Sequence, residues 1–195
     1  TARVVVGVSG ASGAVIAMRV VELLAAMGAR VDLVVSRAAE RTLALEVDEA
    51  ALGRLRGMAD VAHDIADIGA TIASGSYPVA GMIVAPCSMR TLAAIAHSLS
   101  DNLLVRAADV QLKERRPLVL LARETPLHLG HLRAMTAVTE MGAVIMPPVP
   151  AFYRRPAGIA EIVDHIARRA VDQLRIAPQI AGAWSPGVPA GEPGP

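Results

Sequence analysis

Five short, mostly apolar runs, Val4 to Val8, Val31 to Val35, Met82 to Ala85, Leu118 to Ala122 and Ala143 to Met146, recur along the chain with helical periodicity between them. Runs of this kind, bounded by turn residues, read as strands buried on both faces of a parallel sheet. After the first, Ala14, Met18, Val21 and Ala25 repeat at helical spacing and Gly28 is placed to stop the helix, so the chain opens on a strand–helix–strand unit. Strands alternating with helices of about 10 to 15 residues predict a three-layer α/β domain with a doubly wound parallel sheet and right-handed crossovers. At 195 residues one domain is expected, over 1–177, followed by a tail at 178–195 that holds five of the 13 prolines. The stretch from Asp48 to Gly81 is less regular. Its glycines suggest a short helical excursion that ends in a mobile Ser74-Gly75-Ser76 loop.

Composition narrows the class. Hydrophobic residues make up 53% and aromatics 2%, with a mean hydropathy of +0.46, so some aliphatic surface is expected to be buried between copies of the chain. The net charge is +1 and the arginines are dispersed, which argues against a nucleic-acid footprint. A single cysteine excludes an intramolecular disulfide, and no apolar stretch reaches 18 residues; a cytoplasmic protein with no membrane contact is expected.

Chemistry is expected where the strands end, because open α/β sheets bind ligands beyond their carboxyl edges. Arg123-Glu124 terminates the apolar run Leu118 to Ala122, where a surface ion pair has no packing reason to be. The first loop, Gly7 to Gly13, has three glycines and two serines and reads either as a phosphate cradle or as a tight turn. Its spacing matches neither the dinucleotide nor the P-loop pattern. Ser36, Ser88 and Thr91 follow other strands, and helix capping explains the serines as well as ligand binding does. Cys87 has no nearby base and reads as a packed thiol. On the next helix Asn102, Arg106, Asp109 and Lys113 form one polar stripe, usually a solvated face, with Asp109 within reach of both cations. Tyr153, Arg154-Arg155 and Arg168-Arg169 offer donors for an anion, or simply a basic surface. Asp48-Glu49 is the only adjacent acidic pair and no His or Cys cluster has ligand spacing, so chemistry without a metal is expected.

In order, GVSGASG at Gly7 to Gly13, Ser36 to Ala39, Pro86-Cys87-Ser88, the block from Arg106 to Leu132 and GAVIMPPVPAFY from Gly142 to Tyr153 resemble the flavin prenyltransferase family, UbiX. The resemblance covers nearly all of the chain from Val4 to Leu174. It implies a Rossmann-like or flavodoxin-like subunit that binds FMN, assembles into a dodecamer with sites at subunit interfaces, and serves ubiquinone biosynthesis. The implied reaction moves a dimethylallyl group from dimethylallyl phosphate, or its diphosphate, to N5 and C6 of reduced FMN. The prenylated FMN is then the cofactor of a UbiD-type decarboxylase. By position, Gly10, Ala11, Ser12, Ser36, Ser88, Met89, Arg90, Thr91 and Arg123 are implied FMN contacts, and Tyr153 and Arg169 contacts to the prenyl phosphate. Arg106, Lys113, Glu46 and Glu124 are the remaining polar wall, with Glu124, Ser12 and Glu46 the implied proton carriers. Tyr77 stands near where some relatives have a tryptophan, and Trp184 corresponds to a tryptophan near the family's C-terminus. Two alternatives remain at this stage: an FMN-dependent cysteine decarboxylase, whose Pro-Ala-Ser-Ala-Asn-Thr is here Pro86-Cys87-Ser88-Met89-Arg90-Thr91, and a non-catalytic FMN carrier.

Overall fold

The computed structural model describes residues 1–184, and the rest of the proline-rich tail, 185–195, lies outside them. Six parallel strands form one sheet: β1 Arg3–Val8, β2 Arg30–Val35, β3 Val61–His63, β4 Gly81–Cys87, β5 Leu118–Ala122 and β6 Val144–Ile145. Their spatial order is β3-β2-β1-β4-β5-β6. The chain winds outward in one direction from β1 to β3 and in the other from β4 to β6. The carboxyl ends of β1 and β4 therefore flank the point where winding reverses, and a crevice opens there.

Alternation along the strands separates two cores. Val4, Val6 and Val8 of β1 face one side, with Leu33, Ile83 and Leu121, under α1 Ala14–Ala26 and α7 Ile159–Asp172. Val5, Val34, Val84 and Leu120 face the other side, under α4 Met89–Ala96, α5 Leu103–Lys113 and α6 Leu129–Glu140. The β1, β4 and β5 interiors are buried on both faces, as their unbroken apolar character requires. Two further helices, α2 Arg37–Glu46 and α3 Ala51–Met58, fill the connection from β2 to β3. The first helix ends where expected: Gly28 has φ +71° and the N–H of Ala29 reaches back to the Leu24 carbonyl.

The sheet has one strand more than the apolar runs suggest. β3 has only three residues, two of them exposed, and lies at the sheet edge inside the irregular stretch, so it lacks the buried run that marks the others. The Ser74-Gly75-Ser76 loop, expected to be mobile, is hydrogen-bonded to the body of the domain. Arg116 donates to the carbonyls of Gly75, 2.7 Å, and Tyr77, 3.1 Å, and pins the segment to the α5–β5 junction. The Tyr77 hydroxyl lies 3.4 Å from the carboxylate of Asp32, a fully buried residue that also pairs with Arg3 and His63 at 2.8 Å. Beyond residue 177 the chain still belongs to the body. The Asp172 carboxylate accepts from the N–H groups of Ile180 and Ala181, and Ala181 is buried.

Candidate active site

Three helices begin at the crevice, and the side chain that caps each is polar. Ser36 Oγ accepts from the Ala39 N–H at the start of α2, Ser88 Oγ from the Thr91 N–H at the start of α4, and Asn102 Oδ1 from the Val105 N–H at the start of α5. Each residue sits there because a strand or loop stops and an N-cap side chain must satisfy an orphan donor. Together with Gly10, Arg37, Arg90 and Thr91 they line a cavity of about 370 Å³. The positive ends of three helix dipoles, the hydroxyls of Ser36, Ser88 and Thr91, and the guanidinium groups of Arg37 and of Arg90, the latter paired with Asp101, converge on one small space. That combination suits an anion. The serines that cap α2 and α4 also line the cavity.

Ser9 ties the walls together. It is 1% exposed, its hydroxyl donates to the Pro86 carbonyl at 2.8 Å and accepts from the Ser88 N–H at 2.7 Å. The Arg123 N–H donates in turn to the Cys87 carbonyl, so the ends of β1, β4 and β5 are locked in one frame. Gly10 faces α2 so closely that a Cβ would stand 2.3 Å from the Cβ of Ala38. Only glycine fits where loop and helix touch. The sequence reading left out Ser9, and also Arg37, Asn102 and Ile65 as lining residues, since nothing local distinguishes them from ordinary turn and cap residues.

The α1 N-terminus carries no side-chain cap of its own; the Glu46 carboxylate, from the end of α2, accepts from the N–H groups of Gly13, 2.8 Å, and Ala14, 3.0 Å. Two of the donors at the end of that loop are thus taken by a carboxylate. Burial works to raise the Glu46 carboxyl, but the Ser12 hydroxyl, those two N–H groups and the charge of Arg123 outweigh it and hold the group below its ordinary value. Ser12, Glu46 and Arg123 therefore form one cluster with an ionised carboxylate in it. Cys87 is a packed thiol, as expected, and burial pushes it up to about 12.

Other expected residues lie elsewhere. Arg106 donates to the Ala73 carbonyl and pairs with Asp109 at 2.9 Å, so it braces the β3–β4 crossover. Lys113 pairs with Glu114, not with Asp109 as the stripe suggested, and lies 11 residues beyond Asn102, about 16 Å along α5 toward the opposite sheet edge. Glu124 is exposed and accepts from the Thr125 N–H. Tyr153 is exposed on the 3-10 turn Phe152–Arg154, and Arg169 lies on α7, 3.9 Å from Asp172. None of these lines the crevice in one chain. A larger cavity of about 1220 Å³ lies between α1, α7 and residues 151–157. Its Arg19 and Arg168 are already paired with Glu22 and Asp164, so it presents less free charge than its size suggests. Among the described residues no group of His, Cys, Asp or Glu has the arrangement of a metal site, and no helix is long and apolar enough to cross a membrane.

The model of the Flavoprotein family matches residues 1–171. The flavin prenyltransferase UbiX of Thauera aromatica is 54% identical over 183 residues, covering 94% of each chain. This chain belongs to the UbiX family of flavin prenyltransferases. The probable UbiX-like flavin prenyltransferase of Bacillus subtilis is 48% identical, over 94% of this chain and 89% of that protein. The crystal structure of AnUbiX in complex with FMN and dimethylallyl pyrophosphate superposes with a TM-score of 0.90 at 43% identity, over 94% of this chain and 97% of that one. A dodecameric FMN-dependent UbiX-like decarboxylase from Escherichia coli O157:H7 gives 0.88 at 41% identity, over 94% and 99%. The cysteine decarboxylase TvaF, at 14% identity and a TM-score of 0.62, over 90% and 99%, shares the fold.

Proposed function

We propose that this protein transfers a dimethylallyl group from dimethylallyl phosphate, or its diphosphate, to N5 and C6 of reduced FMN, and that a UbiD-type decarboxylase uses the prenylated FMN. The observation that carries the reading is the convergence of three helix N-termini with Ser36, Ser88, Thr91, Arg37 and Arg90 at the β1/β4 crevice, which suits the FMN phosphate. Bound FMN supplies the electron-rich ring that accepts the alkyl group.

The residues divide the remaining work. Gly10, Ala11, Ser12, Met89 and Arg123 hold and orient the ring, while the hydroxyls and Arg90 hold the phosphate. Glu46, kept ionised, takes a proton handed on by the Ser12 hydroxyl as the ring regains aromaticity, and Glu124, which does not line the crevice within one chain, is a second carboxylate able to carry a proton where copies meet. Breaking the allylic C–O bond leaves charge on the phosphate oxygen, which Tyr153, Arg169, Lys113 and Arg106 stabilise with fixed donors. Because those four do not line the crevice in one chain, the complete site is formed between copies, in a dodecamer like that of the Escherichia coli relative. No metal is assigned a role, and a cytoplasmic location with a place in ubiquinone biosynthesis follows from the same reading.

Anaerobic incubation with reduced FMN and dimethylallyl phosphate, followed by mass analysis of the flavin, tests the assignment. The expected result is a flavin heavier by one dimethylallyl unit. An unchanged flavin mass with FMN bound would leave only a carrier.

A further inference from the structure

A third cavity, of about 660 Å³, lies between α4 and α6 outside the crevice. Its volume is in the range of small-molecule pockets. The floor is aliphatic, built from Leu92, Ala93 and Ala96 of α4 and Ala134 and Ala137 of α6. Its polar lining is of one kind: Arg90, Arg133, His97, His128 and His131, with no carboxylate among the lining residues. Arg90 is paired with Asp101, but the Arg133 guanidinium makes no hydrogen bond or ion pair with any described residue. Arg90 also lines the anion crevice, so the two cavities share that side chain.

The two imidazoles at the start of α6 are set by the backbone. His128 Nδ1 accepts from the N–H groups of Gly130, 3.0 Å, and His131, 3.4 Å, while His131 Nδ1 accepts from the His128 N–H at 3.4 Å. A ring that accepts through Nδ1 carries its proton on Nε2. The rings stack with centroids 3.5 Å apart, and both keep an Nε2–H for which the described residues offer no partner. The helix N-terminus itself is satisfied by this mutual cap, so the unspent donors belong to the side chains.

An aliphatic floor under a rim of donors and cations, without an opposing carboxylate, is complementary to an amphiphilic anion. We propose that the α4–α6 cavity is a second binding site of this chain, for a short-chain alkyl phosphate. The hydrocarbon lies on the alanine and leucine floor, and the phosphate meets Arg133 and the His128 and His131 Nε2–H donors. Contact with the crevice through Arg90 makes it a holding site beside the reaction centre. The inference deepens the proposed function, from which it takes the ligand class, but its test counts bound ligand and is independent of turnover.

The test is titration calorimetry of the FMN-loaded full-length protein with isopentyl phosphate, the saturated analogue that cannot ionise as an allylic ester, in wild type, Arg133→Glu and Ala134→Leu. Two sites per chain are expected in the wild type. Arg133→Glu should weaken one by about tenfold or more, as loss of a charge-assisted contact does, and Ala134→Leu should weaken the same one by occupying the floor. Inorganic phosphate should bind that site more weakly than isopentyl phosphate. A single site in the wild type, or a second that survives both substitutions, would overturn the proposal, and equal affinity for inorganic phosphate would overturn the ligand class. If FMN is not prenylated in the anaerobic assay but two sites with this dependence are found, the proposed reaction fails and the second site stands.

Discussion

At the scale of single residues, the site depends on side chains that satisfy backbone donors across distant parts of the chain. Glu46 is the sharpest case, since the α1 N-terminus has no cap of its own and borrows this carboxylate from the end of α2. Glu46→Gln keeps an acceptor but removes the charge that faces the helix dipole and Arg123. The expected cost is about 1 kcal/mol, read as a lower melting temperature at neutral pH. The pH dependence has a definite sign. The folded-state carboxyl lies below its ordinary 4.5, so its contribution is present above that value and is lost as pH falls through the lower folded-state value. The gap in melting temperature between wild type and variant should therefore be full at neutral pH and close on acidification. A gap independent of pH would refute the ionic role. Glu46 was visible in the sequence only through family resemblance, because it lies 33 residues from Gly13 and no local pattern joins them.

At the scale of elements, the crevice cavity is a product of three helix starts, none sufficient alone. Ser36 and Ser88 were legible as caps because a hydroxyl directly follows a strand. Their convergence was not legible, since it depends on β1, β2 and β4 being neighbours in the sheet. Replacing Ser88 with Ala removes the cap of α4 and a hydroxyl from the cavity. FMN affinity should fall by about tenfold or more, the range of one lost hydrogen bond to a charged group, while riboflavin, which has no phosphate, should bind nearly as before. Equilibrium binding of both flavins decides it, because equal losses would place the phosphate elsewhere. α5 shows the converse. Its stripe was read correctly as polar, yet helix length carries Lys113 far from the crevice that Asn102 lines.

At the scale of the whole molecule, the aliphatic composition has a visible outlet. Of the four aromatic residues, Phe152, Tyr153 and Trp184 are exposed, as are Val149 and Ile159 late in the chain. Phe152 and Ile159 are 74% and 76% exposed, so burial between copies would remove large apolar side chains from water. The double substitution Phe152→Ser, Ile159→Ser should lower the mass of the assembly in sedimentation while leaving the subunit folded, because neither side chain belongs to either core. An assembly of unchanged mass would place the interface elsewhere. Conserved secondary structure by circular dichroism separates dissociation from unfolding.

The sequence by itself determined the fold class, since buried parallel strands must be continuously apolar and their helices amphipathic, and both patterns are local. It also marked the strand ends as the place for chemistry. The tertiary structure decided what depends on distant neighbours: the short edge strand β3, held by pairing with β2 instead of by its own burial; the convergence of three helix starts on one cavity; and the separation of Lys113, Tyr153 and Arg169 from the crevice. Local residues set local conformation, but which donors remain free for a ligand is settled only after every other group in the fold has taken its partners.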